Sequence, residues 1–231
     1  MTARRDGVPF DPYHFEKLAE RGTRLSAAET FRQIYRTNHW GGDDSVSGAG
    51  ASRRQTRRIE QALPPLLDAL GVRTLLDLPC GDFGWMRHVP LPGIAYIGAD
   101  VVPELVAENQ QRYGTATRRF VVLDLTADAL PEADLLLCRD ALVHLSFEAI
   151  FRAFANVRRS AIPYLLTTTF PACTVNEDIV TGDWRVLNLE RPPFALPPPL
   201  RLLGEECTEG GGRYRDKSLG LWRTADLPLA P

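Results

Sequence analysis

Three aspartates close three successive apolar runs: Asp77 after Thr74-Leu75-Leu76, Asp100 after Ile94 to Ala99, and Asp124 after Phe120 to Leu123. A carboxylate at a strand end can accept hydrogen bonds from both hydroxyls of a ribose, which is the chemistry expected of Asp100. One strand-end aspartate often does no more than cap a turn. Three in order along the chain point to one crevice. Asp77 leads into Leu78-Pro79-Cys80-Gly81-Asp82-Phe83-Gly84-Trp85, where glycine permits close approach of a ligand to the backbone. A second group, Arg139, Asp140 and His144, follows the run Ala133 to Cys138. Asp140 and His144 are the candidate catalytic pair, because removing a proton from a hydroxyl acceptor needs a base. Four residues apart, they would share a helical face, with Asp140 orienting His144. The competing reading makes Asp140 a helix N-cap and His144 a packing residue. Arg139 could pair with a carboxylate of cofactor, substrate or protein.

These residues need a scaffold of alternating strands and helices. Thr74 to Leu78, Ile94 to Asp100, Phe120 to Leu125, Ala133 to Cys138 and Tyr164 to Thr169 read as buried parallel strands. Helices are expected at Pro103 to Tyr113, with Gly114 as the stop, and at Phe147 to Arg158. Upstream, Ser26 and Glu29 have the form of a capping box opening a helix to about Arg36. A further helix is expected from Arg53 to Leu70, interrupted near Pro64-Pro65. Phe10, Tyr13, Phe15 and Leu18 could form a short helix in an otherwise partly ordered leader. After the Pro-rich stretch Arg191 to Leu200, two short runs, Arg201 to Cys207 and Lys217 to Arg223, flank a Glu209 to Gly212 turn and suggest a hairpin. The expected fold is α/β: a doubly wound, seven-stranded, mostly parallel sheet with a C-terminal antiparallel hairpin and an N-terminal helical extension. Residues 1–52 would form a leader, helix and Gly/Ser-rich lid, and residues 53–231 the main domain.

The segment from Asp77 to Trp85 resembles the first motif of class I S-adenosylmethionine-dependent methyltransferases, an acidic residue followed by a glycine-rich turn. The resemblance covers about Thr74 to Arg223. Pro79 occupies the usual first glycine position and Phe83 stands where the last is expected. The resemblance implies S-adenosylmethionine as cofactor, with the loop under its amino-acid end and Asp124 near the adenine amino group. Candidate cofactor residues are therefore Asp77, Pro79, Cys80, Gly81 and Trp85 in the loop. Asp100, Val101, Asp124, Leu125 and Arg139 follow at later strand ends, and Trp40 in the lid. A nicotinamide enzyme is the nearest competitor, but GxGxxG is incomplete here. Asp77 and Asp82 also sit poorly beside a pyrophosphate and well beside a sulfonium and an α-amino group.

The Asn38 to Gly42 stretch with Ser45 to Ser52 could close over the cofactor's carboxylate, using free N–H groups at a helix start. The Leu135 to Leu145 segment resembles the fourth-strand motif of small-molecule methyltransferases and lacks the Asn/Asp-Pro-Pro-aromatic signature of exocyclic-amine enzymes. That favours methylation of an oxygen on a small metabolite, sugar or natural product. His39, Asn176, Trp184, Arg185 and Asn188 are the candidate substrate wall. They could equally cap and pack their own loops.

Composition narrows the partners. The 231 residues carry a net charge of -2, so no global field draws the protein to nucleic acid. A nucleic-acid enzyme would rest only on Arg53, Arg54, Arg57 and Arg58, which read first as a solvated helix face. Four widely spaced cysteines offer no metal-ligand pattern, so no metal is expected. The absence of a membrane-length apolar run or of an apolar leader points to a cytoplasmic protein, and the resemblance implies a bacterial group. The alternative function is a catalytically silent, methyltransferase-fold binding or regulatory protein. The sequence leaves the acceptor and the oligomeric state open.

Overall fold

A computed structural model describes residues 11–41 and 45–229. The expectations for Met1 to Phe10 and for Gly42 lie outside those residues. Helix α1 (His14–Glu20) begins one residue after the 57% exposed Tyr13 and buries Phe15. Helix α2 (Ala27–Thr37) starts at the expected capping box, with Ser26 Oγ accepting from Glu29 N–H and the Glu29 side chain accepting from Ser26 N–H. It ends where Asn38 turns left-handed. Helix α3 (Arg53–Ala69) passes through Pro64 and Pro65 without the expected interruption. The carbonyls that lose donors there belong to the half-buried Glu60 and the exposed Gln61. Water can satisfy them.

The sheet strands follow: β1 (Thr74–Asp77), β2 (Ala95–Asp100), α4 (Pro103–Tyr113), β3 (Arg118–Val122), β4 (Leu135–Cys138), α5 (Phe147–Arg159), β5 (Tyr164–Thr169), β6 (Arg201–Gly204) and β7 (Ser218–Arg223). Their order is β3-β2-β1-β4-β5-β7-β6. The first five pair in parallel, and β7 inserts antiparallel between β5 and β6. The α/β architecture with its C-terminal hairpin is as expected. Several strand limits differ from those expected, three of them for reasons the hydrogen bonds show. The β3 strand ends at Val122, two residues before Asp124, because Asp124 folds into its own turn by accepting from Thr126 N–H and Oγ1–H. Strand β4 starts at Leu135 because Asp134 turns back to accept from the N–H groups of Arg73 and Thr74. The β6 strand stops at Gly204, after which Glu205 points its carboxylate to Arg139.

Successive side chains of a strand face opposite sides, and the apolar runs divide accordingly. Leu75, Leu135 and Leu137 join the core under α3, whereas Leu76 and Leu136 join the core under α5. The Pro-rich segment contributes to the latter through Phe194, which packs against Phe147, Phe151 and Phe154. The chain leaves β1 toward β2 on one side and later returns to β4 on the other. That reversal opens a crevice at the carboxyl ends of β1 and β4. Among the described residues no helix is long and apolar enough to cross a membrane.

Candidate active site

The crevice is a cavity of about 420 Å³, within the range of small-molecule sites. Asp77, Pro79, Cys80, Gly81 and Trp85 line it from the β1 loop. Asp100, Val101, Asp124, Leu125 and Arg139 line it from the next strand ends, and Trp40 from the N-terminal side. Asp140 and His144 line it as well. Of the expected substrate wall, only Trp184 does.

The loop after β1 is built from backbone bonds. Cys80 N–H donates to Ala99 C=O at 2.7 Å, and Gly81 N–H to Asp100 Oδ2 at 3.2 Å. Gly81 has φ of +54°, and a Cβ there would meet Ser47 Oγ at 2.3 Å. Glycine is thus required both by conformation and by the strap that crosses it. Phe83, standing where a glycine is expected, adopts the left-handed conformation glycine would supply, with φ of +56°. Its ring packs among Tyr96, Tyr113 and Phe120, which offsets the conformational cost. Asp82 receives Val46 N–H and Gly84 N–H, tying strap to loop.

Two carboxylates at the strand ends are buried without a cationic partner in contact. Asp77 accepts from Tyr96 Oη–H at 2.5 Å, and burial raises its pKa to about 7 despite that bond. Asp100 accepts from the backbone N–H groups of Val102, Gly81 and Val101, and burial still raises its pKa to about 6. Both would be relieved by a positive charge in the cavity.

Beyond β4 the charges are paired. Arg139 forks onto Glu205, with Nε–Oε1 at 3.2 Å and Nη2–Oε2 at 2.7 Å, and also donates to Gly50 C=O. Asp140 has φ of +53°, and its Oδ2 receives Lys217 Nζ at 2.6 Å and Arg139 Nη1 at 3.1 Å. These two cations overcome burial and hold the Asp140 carboxyl well below its usual range. Arg139 is therefore committed to protein carboxylates. Glu205 and Lys217 were not anticipated from the sequence. The chain has only two lysines, Lys17 and Lys217, among 27 basic residues, and a rare lysine in an arginine-rich chain was the available signal.

The expected helical face shared by Asp140 and His144 does not exist. Asp140 is in a left-handed turn, and Leu142–His144 form one 3-10 turn. His144 is oriented instead by Asp183, whose carbonyl lies 3.0 Å from Nδ1. A carbonyl only accepts, so Nδ1 carries the proton and Nε2 keeps its lone pair. Burial lowers the His144 pKa to about 4, leaving the ring neutral near pH 7. The Asp183 side chain also anchors the start of α1, where its two oxygens receive Phe15 N–H and Glu16 N–H.

The remaining substrate candidates hold the chain together. Arg185 donates to the carbonyls of Leu142, Leu145 and Glu177, clasping the His144 turn. Asn176 and Asn188 bond each other and the carbonyls of their own connection. His39 is buried against His14 and Phe15. Their polarity serves backbone groups that a buried connection leaves unpaired. Instead, Phe31, Phe170 and Tyr214 face the cavity beside Trp40 and Trp184. The arginines of α3 also find partners, Arg54 on Thr208, Arg58 on Glu206 and Arg53 on Glu60.

No family model and no curated relative matches the chain. Solved structures do. Magnesium protoporphyrin IX methyltransferase from Synechocystis PCC 6803, with bound S-adenosylmethionine, is 15% identical, with 87% of this chain and 98% of that one covered at a TM-score of 0.57. N-methyltransferase NodS from Bradyrhizobium japonicum WM9, with S-adenosylhomocysteine, is 14% identical, with coverage of 82% and 97% at a TM-score of 0.57. Human N-acetylserotonin methyltransferase is 16% identical at a TM-score of 0.55; 93% of this chain aligns, spanning 62% of the human chain's length. They share the fold described above.

Proposed function

We propose that this chain, which has the class I S-adenosylmethionine-dependent methyltransferase fold, binds that cofactor and methylates a small-molecule acceptor at oxygen. The observation that carries the reading is the pair of buried carboxylates, Asp77 and Asp100, facing one cavity at the sheet's switch point with no cation against them. They fit a ligand with ribose hydroxyls, an ammonium and a sulfonium. Gly81, where a side chain would strike Ser47, supports close approach of a ligand to the backbone. Asp100 would hold the ribose, Asp77 the amino end through the loop, and Val101, Asp124 and Leu125 the adenine. The strap Val46 to Ala51 lines the same cavity and would cover the methionine carboxylate. In this reading residues 1–52 are a leader, a helix and the lid, and residues 53–231 the catalytic domain.

When bound, S-adenosylmethionine supplies an electrophilic methyl group. The chain's own contribution is to exclude water, orient the acceptor and remove a proton. His144 suits the proton removal, being neutral, with Nε2 unoccupied and its tautomer fixed by Asp183. Asp140, clamped by Lys217 and Arg139, organises the cavity wall and is a poor proton acceptor.

The test is calorimetric titration with S-adenosylmethionine and S-adenosylhomocysteine. Saturable binding at micromolar concentration is expected, and no binding at millimolar cofactor by folded protein overturns the reading. The second reading, a silent binding protein, predicts cofactor binding without release of S-adenosylhomocysteine from any acceptor in a cell extract.

A further inference from the structure

We infer that the acceptor is a flat aromatic compound carrying the reacting hydroxyl, stacked on the cavity's indole rings and presenting its oxygen to His144 Nε2. This rests on the methyltransferase reading above. The His144 end of the cavity is walled by rings contributed from distant parts of the chain. Trp40 lies against His144, ring centroids 4.5 Å apart and 31° between planes, and against Phe31 at 6.4 Å. Trp184 is braced edge-on by Tyr214 at 5.0 Å and Phe170 at 6.4 Å. All of them line the cavity. Rings braced edge-on form stiff platforms, and aromatic ligands gain on such walls beyond simple burial.

The polar groups at this end count against a ligand with many hydroxyls. Arg139, Lys217, Asp140 and Glu205 are spent on one another. Two atoms at this end are left without a protein partner inside the cavity, while Trp184 Nε1–H and Tyr214 Oη–H sit on half-buried residues of its wall. His144 offers Nε2, because Nδ1 is held by Asp183. Trp40 Nε1–H is enclosed and has no partner, an unfavourable state for a buried donor. A small shift of the ring would bring that N–H to an acceptor oxygen. One donor and one acceptor are what a single hydroxyl can use. A sugar would bury several hydroxyls without partners.

The acidity of the hydroxyl points the same way. The His144 ring, with its pKa lowered to about 4 by burial, is a weak base. It is far better matched to a phenol, with a pKa of about 10, than to a hydroxyl as weakly acidic as water's, about 16. In the balanced step the acceptor oxygen forms the new C–O bond, and the C–S bond breaks with its electron pair passing to sulfur. The hydroxyl proton passes to His144 Nε2 and then to solvent.

The test uses the full chain and three probes, 2-naphthol, its saturated counterpart 2-decalol, and methyl β-glucoside. Each is titrated with and without S-adenosylhomocysteine. The expected result is that 2-naphthol binds about tenfold or more tightly than 2-decalol, and that the glucoside does not bind at the same concentrations. Trp184→Ala should weaken 2-naphthol about tenfold while S-adenosylhomocysteine affinity stays within twofold. Trp40→Phe should weaken 2-naphthol about fivefold and leave naphthalene, which has no oxygen, unchanged. Equal binding of naphthol and decalol, preference for the glucoside, or a Trp184→Ala loss confined to the cofactor would each overturn the inference. The probe ranking is read on wild-type protein, so a variant that fails to fold does not remove the test. Failure of S-adenosylhomocysteine to bind overturns the cofactor reading instead, and the naphthol comparison is still read in its absence.

Discussion

At the scale of single residues, burial and pairing separate groups that look equivalent in the sequence. Asp77, Asp100 and Asp140 are all strand-end aspartates, yet the first two lack a contacting cation and the third has two. Asp100→Ala is expected to weaken S-adenosylmethionine binding about ten- to a hundredfold, the cost of one or two charged hydrogen bonds, as measured by calorimetry. For catalysis, His144→Ala should lower single-turnover methyl transfer roughly 10²- to 10⁴-fold with cofactor affinity nearly unchanged. Asp140→Asn should behave differently. Removing one member of a buried ionic cluster costs about 3 kcal/mol, and the 26% exposure of this side chain reduces that to about 2 kcal/mol of unfolding free energy in urea. Retained stability with lost turnover would restore Asp140 as the base.

At the scale of elements, local patterns were legible and distant partnerships were not. Apart from Trp40 and Trp85, the cofactor-end candidates sit within a few residues of a recognisable strand end, where a pattern of apolar run, turn and aspartate marks them. Phe83 shows that even the conformation of a missing glycine was implied, although the aromatic cluster that sustains it was not. The far wall is different. Lys217 reaches Asp140 across 77 positions and Glu205 reaches Arg139 across 66, and only the insertion of β7 between β5 and β6 brings them there. Asn176 and Asn188 were visible as polar residues on a long connection with two open readings, and only the fold selects the one in which they serve that connection's own carbonyls. The Pro-rich segment shows the same limit. Phe194 locks it to α5 through three phenylalanines, so Phe194→Ala should cost about 3 to 5 kcal/mol in chemical denaturation. A cost below about 1 kcal/mol would mean the segment is not part of the cooperative core.

At the scale of the whole molecule, these shifted groups set how stability follows pH. Asp77 and Asp100 hold their protons to about 7 and about 6 in the fold, whereas an unfolded aspartate releases its proton near 3.9. The folded state binds more protons in that window, so their contribution falls as pH rises from about 4 to 7. His144 acts in the opposite sense: an unfolded histidine takes up a proton near 6.5, the folded one only near 4, and its contribution falls as pH drops between those values. Asp140, depressed by its two cations, adds stability that is lost as pH falls below about 4. Burial also raises the pKa of Asp183 and lowers that of His39, adding one group to each side, and the balance leaves the ligand-free protein less stable at pH 8 than at pH 5.5, by on the order of 1 kcal/mol. Thermal melts should show that decline, and S-adenosylmethionine should raise the melting temperature more at pH 8, where Asp77 and Asp100 are both ionised. A ligand shift that is larger at pH 5.5 would contradict the roles given to Asp77 and Asp100.

Asp183 joins two parts of the molecule that sequence order keeps far apart. Its side chain grips the start of α1, and its carbonyl fixes the tautomer of His144. None of the described residues before Ala27 touches the cavity. Even so, a chain shortened to begin at Ala27 should lose turnover like an active-site variant, while still binding cofactor. The first helix is then a tension member, and the imidazole is what it keeps in tune.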